Sequence, residues 1–303
     1  MKVLIPDVPL RRELGRLPPG VELVTQAAPD VEVLILAPGV ADDIPALLRR
    51  LPGLRLVQSF NAGVDGLIPL VPDGIAVCSA VGVHDGSVAE WVVMAILAMR
   101  RRLPEFLERQ GRAEWDRGIA YRDETEHCIA SLEGATLLVV GHGSIGRALA
   151  TRMAAFGVRV VGVASHPRDG VQGPDALGGL LPDADIVVDL LPLTAVTERF
   201  VDRVFLARMK PGALFVNAGR GRTVDTSALL EALEAGRISA ALDVTDPEPL
   251  PSAHPLWRAP NVLITPHIAG AVTRWEERAY RFAGEQILRY AAGESLLGLV
   301  ARD

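Results

Sequence analysis

The sequence is poor in the residues that mark several classes of protein. Its two cysteines, Cys78 and Cys128, are too far apart along the chain to form the paired motif of a metal site or a redox dithiol. This usage predicts a cytoplasmic protein without a bound metal. The most apolar helical stretch, residues 88–99, is interrupted by Glu90 and is too short to cross a bilayer. The short run before Pro6 does not have the pattern of a signal peptide, so we expect no membrane association.

Neither sign of charge dominates the chain, and aromatic residues are scarce. The 31 basic and 37 acidic residues give a net charge of −6, so no overall field attracts nucleic acid. Aromatic residues make up 5% of the chain and hydrophobic residues 49%, which is typical of a globular α/β protein rich in Ala, Val and Leu. A chain of 303 residues exceeds what one hydrophobic core usually fills, which predicts two domains.

Short apolar runs alternate with longer helical patterns from one end of the chain to the other. This alternation predicts parallel strands joined by helical crossovers. A first, small sheet is predicted from residues 2–5, 21–25, 31–37, 54–59 and 75–79. A second sheet, with the six strands of a dinucleotide-binding domain, is predicted from residues 136–140, 158–163, 186–191, 213–217, 240–244 and 262–265.

Two helical patterns connect the predicted sheets. Residues 87–110 are predicted to form one long helix that leads from the first domain to the second. Residues 274–292 are predicted to form a helix that returns to the first. The expected division is therefore residues 1–97 and 270–303 for a substrate domain and residues 98–269 for a dinucleotide-binding domain.

A glycine pattern lies between the first apolar run of the second set and the helix that follows it. Gly141 permits a tight turn, Gly143 lets a pyrophosphate approach the backbone, and Gly146 lets the helix pack closely on its strand. The free N–H groups around Ser144 and Ile145 would bind the phosphates at the positive end of the helix dipole. A glycine turn without a ligand is the alternative, which the six-strand context disfavours.

The choice of cofactor is predicted from the residues after the next strand. NAD-binding domains usually place a carboxylate there to bind the ribose 2′-hydroxyl. Here Ser165, His166 and Arg168 precede the first acid, Asp169, which favours NADP(H) because nothing negative would repel a 2′-phosphate. NAD(H) stays the alternative, because these residues can also be solvated and indifferent to the cofactor.

Three reactive side chains follow later strands, at the edge where ligands bind in open α/β sheets. Arg220 lies in a loop of small residues, where a guanidinium can bind a carboxylate through two parallel hydrogen bonds and polarise a carbonyl. Glu248 lies between Pro247 and Pro249, and His267 follows Pro266. An imidazolium can protonate a keto oxygen during hydride transfer, and a neighbouring carboxylate stabilises the charged ring. Taken alone, each of these residues is equally consistent with a structural role or with exposure to solvent.

Taken in order, these motifs resemble those of the D-isomer-specific 2-hydroxyacid dehydrogenase family, which includes glyoxylate/hydroxypyruvate reductases and phosphoglycerate dehydrogenases. The resemblance covers nearly the whole chain. Besides the glycine pattern of residues 141–146, it rests on Asn61-Ala62-Gly63-Val64-Asp65, Ser87-Val88-Ala89-Glu90, Leu191-Pro192-Leu193-Thr194, Asn217-Ala218-Gly219-Arg220-Gly221, Asp243-Val244 with Glu248-Pro249, and Thr265-Pro266-His267-Ile268-Ala269-Gly270.

The resemblance implies an α/β fold that combines a Rossmann-type dinucleotide-binding domain with a discontinuous flavodoxin-like substrate domain, both with parallel sheets. It implies catalysis by Arg220, Glu248 and His267, and binding of the substrate carboxylate by backbone N–H groups of Ala62 and Gly63. It also implies a homodimer that is built through the cofactor domains.

The resemblance further implies a set of cofactor contacts. Asp243 would contact the nicotinamide amide, and Pro192, Thr197 and Ala218 would line the cofactor groove. The sequence departs from the NAD-using pattern at Ala164, where many family members carry the ribose-binding aspartate. This departure puts NAD use in doubt.

The predicted activity is hydride transfer between NAD(P)H and a small 2-keto acid to give a D-2-hydroxy acid, with glyoxylate-like or hydroxypyruvate-like substrates favoured. A phosphonate or formate dehydrogenase of the same fold is one alternative, and a non-catalytic dinucleotide-binding regulator is another. The sequence leaves the substrate open, because selectivity depends on residues such as His84 and Trp115 whose positions it does not fix. Trp115 belongs either to a dimer interface or to the site of the partner subunit.

Overall fold

The computed structural model describes residues 1–6, 8–38, 40, 43–118 and 129–300, so Cys128 lies outside the described residues. Contacts divide the chain into two compact units, one formed by Met1–His84 with Ala271–Asp303 and the other by Asp85–Gly270. The described α-helices are α1 (Ile44–Arg49), α2 (Asp85–Arg100), α3 (Leu103–Gly111), α4 (Ser144–Ala154), α5 (Leu177–Leu180), α6 (Arg203–Arg208), α7 (Thr226–Glu234) and α8 (Trp275–Ala292).

The first unit contains a five-stranded parallel sheet. Its strands are β1 (Lys2–Leu4), β2 (Glu22–Val24), β3 (Val31–Leu36), β4 (Leu56–Ser59) and β5 (Ala76–Cys78). Their spatial order is β2-β1-β3-β4-β5, the order of flavodoxin-like sheets. All five agree with predicted runs, because strands buried on both faces form nearly continuous apolar segments.

Helix α8 completes the core of this unit from the other end of the chain. Tyr280 and Ile287 are buried in one cluster with Val3 and Ile5 of the N-terminal strand region. A Cβ on Gly284 would lie 2.1 Å from the Leu14 carbonyl oxygen, so only glycine allows this approach. Helix α8 therefore packs on the N-terminal strands of the same unit.

The second unit contains a seven-stranded parallel sheet. Its strands are β6 (Thr136–Val140), β7 (Arg159–Val163), β8 (Val171–Gln172), β9 (Ile186–Asp189), β10 (Leu214–Asn217), β11 (Ser239–Leu242) and β12 (Val262–Ile264). The order β12-β11-β10-β9-β6-β7-β8 is the Rossmann order with one strand added, and its topological switch point lies between β6 and β9. The predicted fold class is confirmed, and β8 is an addition to the six predicted strands.

The single helix predicted for residues 87–110 is wrong, because the chain forms α2 and α3 there instead. Arg102 has a φ of 56°, in the left-handed region, and separates the two helices. Pro104 explains the break, since its ring would clash with the carbonyl of Arg100 in a continuous helix and it has no N–H to donate.

Helix α2 groups entirely with the second unit. Its side chains Val92 and Ile96 are buried in one cluster with Leu149 and Met153 of α4. The first boundary between the units therefore lies before Asp85. The sequence predicts it between residues 97 and 98, near the end of this helix. The division of roles between a substrate domain and a dinucleotide-binding domain stays a prediction. No helix of the described residues is long and apolar enough to cross a membrane.

Candidate active site

The glycine pattern forms the turn between β6 and α4 at the switch point of the sheet. Gly141 has a φ of +89°, and a Cβ there would lie 2.7 Å from the Leu190 carbonyl carbon. Both the backbone conformation and the lack of space therefore require glycine. Around Gly143 the space is open, since a Cβ would meet only the Gly141 oxygen at 4.0 Å. A Cβ on Gly146 would lie 3.2 Å from Val139, which shows how closely α4 packs on β6.

The ring of His142 fills the space beside this turn. It packs so closely on Gly162 of β7 that a Cβ there would lie 2.6 Å from the ring. Burial lowers the pKa of His142, and the charges of Arg168 and Arg147 lower it further, against a backbone hydrogen bond that raises it. A neutral His142 therefore shapes the turn without adding a charge to it, and phosphate binding by the first-turn N–H groups at Ser144 and Ile145 stays a prediction.

The three residues predicted to select the cofactor are exposed together after β7. Arg168 donates through Nη2 to the carbonyl oxygen of His142, which brings its guanidinium onto the glycine turn. Ser165 Oγ lies 3.1 Å from His166 Nδ1. The positive charge of Arg168 therefore lies beside the turn.

Three polar residues with almost no exposed surface lie at the carboxyl edge of neighbouring strands β9, β10 and β11. Asp189 and Asn217 are paired in register across β9 and β10, and Asp243 directly follows β11. Their exposed fractions are 0%, 1% and 2%. Buried polar groups need hydrogen-bond partners, and each of the three finds them in a loop that leaves the sheet.

Asn217 holds the loop that bears Arg220. Its Oδ1 accepts from the Gly219 N–H at 2.9 Å, and its Nδ2 donates to the Arg220 carbonyl at 3.0 Å. A Cβ on Gly221 would lie 1.9 Å from the Thr245 oxygen, so this loop is pressed against the segment after β11. The guanidinium of Arg220 is partly exposed and donates through Nη1 to the Gly219 oxygen at 2.8 Å.

Glu248 and His267 are brought together by neighbouring loops. His267 Nδ1 lies 2.6 Å from Glu248 Oε1, and both side chains are nearly half exposed. A carboxylate only accepts hydrogen bonds, so Nδ1 carries the proton of this contact and Nε2 is directed to other partners. The loop of Glu248 contains two cis peptide bonds, Asp246–Pro247 and Glu248–Pro249.

Asp243 fixes the strained backbone at His267. The φ of His267 is 54°, a conformation that costs a non-glycine residue about 1 to 3 kcal/mol. Asp243 accepts from Thr265 Oγ1 at 2.6 Å, from the Ile268 N–H at 2.9 Å and from the Ala269 N–H at 2.8 Å. These bonds show a role for Asp243 that sequence reasoning missed, in addition to the predicted contact with the nicotinamide amide, which stays a prediction.

The other predicted cofactor-groove residues lie at the same edge. Thr197 Oγ1 donates to the Pro192 carbonyl at 2.6 Å and closes the loop after β9. The N–H of Ala218 donates to the Asp189 carbonyl at 3.2 Å. The loops after β9 and β10 are therefore joined through their backbones beside the switch point.

The predicted carboxylate-binding residues Ala62 and Gly63 belong to the first unit, in the loop after β4. Ser59 Oγ accepts from the Asn61 N–H at 3.0 Å, and the Asn61 carbonyl accepts from the Ala80 N–H at 2.9 Å. His84 Nε2 lies 2.9 Å from the Phe60 oxygen. Hydrogen bonds at both the N–H and the carbonyl of Asn61 thus fix this loop.

The carboxyl edge of the second unit can hold a nicotinamide dinucleotide. Open space at Gly143 and the N-terminus of α4 suit a pyrophosphate. Arg220 and His267 each follow their strand by three residues, on strands β10 and β12 of the same sheet. Strands are about 4.8 Å apart, so these two strand ends are about 10 Å apart. This span leaves room for a small ligand between the two strand ends.

Comparison with known proteins gives a consistent result. Residues 93–269 match the profile of the D-isomer specific 2-hydroxyacid dehydrogenase, NAD binding domain. A glyoxylate reductase of Thermofilum pendens is 33% identical over 296 residues, which are 94% of this chain and 86% of that protein.

Two solved structures show the same architecture. One is a D-isomer specific 2-hydroxyacid dehydrogenase of Xanthobacter autotrophicus in complex with NADPH and MES, with a TM-score of 0.82, 30% identity and coverage of 99% of this chain and 97% of that chain. The other is an NADPH-dependent glyoxylate/hydroxypyruvate reductase of Sinorhizobium meliloti in complex with NADP and sulfate, with a TM-score of 0.81, 27% identity and the same coverage. The chain is a member of the D-isomer-specific 2-hydroxyacid dehydrogenase family and an oxidoreductase with a nicotinamide dinucleotide cofactor.

Proposed function

We propose that this enzyme reduces small 2-keto acids, with glyoxylate and hydroxypyruvate favoured, to D-2-hydroxy acids with NADPH. The observation that carries the proposal is the 2.6 Å contact between His267 and Glu248 on the sheet edge that also bears Arg220 and the glycine turn. A proton donor, an anion-binding cation and a dinucleotide turn on one sheet edge are what the reduction of a keto acid requires.

Arg220 binds and orients the substrate. Its guanidinium donates two parallel hydrogen bonds to the carboxylate and the adjacent keto oxygen, which polarises the carbonyl. The loop bonds from Asn217 fix the backbone from which this side chain extends.

His267 supplies the proton. Reduced nicotinamide supplies the hydride when the cofactor is bound. Negative charge then develops on the keto oxygen, and His267 donates its Nε2 proton to this oxygen. Glu248 accepts from Nδ1–H, so it selects the tautomer and stabilises the positive charge of the ring before the transfer.

Preference for NADPH is supported by the residues after β7. Arg168 lies on the glycine turn, Ser165 and His166 are exposed beside it, and Ala164 replaces the acid that would bind a 2′-hydroxyl. The NADPH and NADP complexes of the two structures named above agree with this preference.

We also propose that the enzyme is a cytoplasmic homodimer. Three apolar side chains of one segment are largely exposed, namely Leu103 (46%), Leu107 (57%) and Trp115 (94%), and such surfaces mark interfaces. Cys78 is a buried free thiol, as expected in a reducing compartment. Light scattering after gel filtration measures the mass, and Leu107→Glu should shift a dimer towards monomers; a monomeric wild type would contradict this proposal.

The activity is tested by following nicotinamide absorbance with glyoxylate, hydroxypyruvate, pyruvate and bulkier keto acids, each with NADPH and NADH. We expect the highest kcat/KM with the two small substrates and NADPH, and a D-configured product on chiral chromatography wherever the product is chiral. Oxidation of formate or phosphonate without keto-acid reduction would replace the proposal by the corresponding dehydrogenase. Dinucleotide binding without turnover on any of these acids would favour a regulator.

A further inference from the structure

Asp189 is a completely buried carboxyl group to which the proposed mechanism gives no role. It ends β9, and its side chain has two close partners. Its Oδ1 accepts from the Leu191 N–H at 2.8 Å, and its Oδ2 lies 2.6 Å from Thr223 Oγ1. Burial of an ionised carboxyl group costs free energy, so burial favours the protonated form of Asp189.

Thr223 connects this carboxyl group to the substrate-binding loop. Thr223 is itself completely buried, and its Oγ1 lies 2.6 Å from the Arg220 carbonyl oxygen. The same carbonyl accepts from Asn217 Nδ2. Three oxygen atoms, of Asp189, Thr223 and Arg220, thus form a row with two contacts of hydrogen-bond length.

A count of protons links the protonation state of Asp189 to the direction in which Thr223 donates. Two short oxygen contacts need two hydrogen atoms, the carbonyl has none, and the hydroxyl has one. If Thr223 donates to the Arg220 carbonyl, the second hydrogen must lie on Asp189 Oδ2, which then donates to Thr223. If Asp189 is ionised, Thr223 donates to it instead, and the Arg220 carbonyl loses this donor.

The groups around Asp189 are compatible with a neutral acid. Its register neighbours on β6 and β10, Val140 and Asn217, carry no charge. Burial is the main influence on Asp189 and raises its pKa to about 6, while the bonds from Thr223 and Leu191 oppose the rise. The surrounding loops carry the titratable or charged side chains of His142, Glu198, Arg199, Arg220, Arg222, Asp225 and Asp243, among others. Arg222 donates to Glu198, and Asp243 is occupied with the loop of His267.

We propose that Asp189, as a neutral carboxylic acid, is a positioning residue that orients the Thr223 hydroxyl onto the Arg220 carbonyl and so fixes the backbone from which the substrate-binding guanidinium extends. This inference rests on the proposed role of Arg220 in binding a carboxylate. Ionisation of Asp189 turns the hydroxyl away and loosens the loop. The result is a substrate affinity that falls as Asp189 loses its proton.

The test measures the dissociation constant of oxalate, an unreactive dianion resembling the substrate, by calorimetry on enzyme saturated with NADP⁺. Measurements are made below and above about pH 6, the value to which burial raises the pKa of Asp189. Loss of one hydrogen bond predicts that oxalate binding by the wild type weakens about two- to ten-fold across this range through Asp189. Asp189→Asn keeps a donor to Thr223 at every pH, so its oxalate affinity should lack this part of the pH dependence.

Two variants of Thr223 form a matched pair. Thr223→Val removes the hydroxyl and should bind oxalate as weakly below pH 6 as above it, whereas Thr223→Ser keeps the hydroxyl and should follow the wild type. This pair serves even if Asp189→Asn fails to fold. Any pH dependence that persists in Asp189→Asn belongs to other groups, and only the difference between the profiles tests Asp189.

The outcomes separate this inference from the proposed function. Identical pH profiles for the wild type and Asp189→Asn, or a Thr223→Val variant equal to the wild type, would overturn the positioning role. Arg220→Ala binding oxalate as tightly as the wild type would overturn the proposed clamp instead. A wild-type enzyme that does not bind oxalate at all would overturn both.

Discussion

His267 Nδ1 and Glu248 Oε1 lie 2.6 Å apart, although the two residues belong to different loops. In the proposed mechanism, this contact leaves Nε2 as the ring nitrogen that donates to the substrate. Because this contact joins the two side chains, the proposed proton-donating role of His267 depends on Glu248 as well.

Replacement of His267 by Gln should slow turnover while leaving substrate affinity nearly unchanged. Gln has no acidic proton to give to the keto oxygen, and general acid catalysis contributes about 100- to 10,000-fold. Steady-state kinetics with the best keto acid measures kcat and KM separately. His254→Gln is the matched control. His254 caps the short helix Pro255–Arg258, so this variant should keep full turnover. A His267→Gln variant with wild-type kcat would remove the proton-donor role.

Loss of Arg220 should damage substrate binding and turnover together. Arg220→Lys keeps the charge but loses the two parallel hydrogen bonds, so kcat/KM should fall by at least about ten-fold, and by more in Arg220→Ala. Arg222→Ala removes a neighbouring exposed arginine that pairs with Glu198, and its kinetics should resemble those of the wild type. Equal kinetics for Arg220→Ala and Arg222→Ala would contradict the clamp.

Arg168→Ala should lower the preference for NADPH over NADH. The loss of one charge-assisted contact with the 2′-phosphate predicts a fall of about ten-fold or more in the ratio of kcat/KM for the two cofactors. Arg159→Ala, at the opposite end of β7, is the control and should leave this ratio unchanged. A ratio that Arg168→Ala does not alter would show that the charge beside the glycine turn has no part in selecting the cofactor.

Removal of the Asp243 carboxylate should affect both stability and turnover. Asp243→Ala leaves the N–H groups of Ile268 and Ala269 without their acceptor, which should lower the free energy of unfolding by about 2 to 4 kcal/mol. The loop of His267 is then released from its strained conformation, so kcat should also fall. Urea unfolding and steady-state kinetics measure the two effects. Asp175→Ala, at an exposed site, is the control, and a stable Asp243→Ala variant with full turnover would disprove this role.

Asp189 should make the stability of the protein depend on pH in an unusual direction. Its pKa is raised from 3.8 to about 6 by burial, so the folded protein holds a proton that the unfolded chain releases between these values. The free energy of unfolding therefore falls as pH rises from about 4 to about 6, by about 3 kcal/mol for a shift of about two units, and is constant above.

The variant Asp189→Asn isolates this effect. Relative to the wild type, its free energy of unfolding should increase through the same pH range and then stay constant, as urea unfolding at a series of pH values would show. A difference between the two proteins that does not change with pH would mean that Asp189 titrates normally.

Most of the fold could be predicted from the sequence, because parallel strands buried on both faces are continuous apolar segments. The strand β8 could not, since Val171–Gln172 is too short to show any period. Pro104 indicates the break between α2 and α3. The prediction missed it because Pro104 lies within a long run of helix-forming residues. The boundary between the units depends on which unit α2 packs against. The apolar residues of α2 show that one face is buried, but they do not show against which unit.

The candidate site could be predicted only in part. Arg220, Glu248 and His267 follow strands, and strand order places them at one edge. The roles of Asp189 and Asp243 were not predictable, because their partners Thr223 and Ala269 are 34 and 26 residues away and lie close only after the sheet has formed. Sequence patterns show which residues end strands, whereas hydrogen bonds between loops depend on the register of those strands.

The return of α8 to the N-terminal strands has a consequence for synthesis of the protein on the ribosome. Ile287 belongs to the same buried cluster as Val3, so the earliest strands emerge long before their covering helix exists. The unit of residues 85–270 contains all of its own strands and can complete its core first. During this interval one face of the nascent N-terminal sheet lacks its apolar cover, and such exposed apolar surface favours aggregation until α8 has been made.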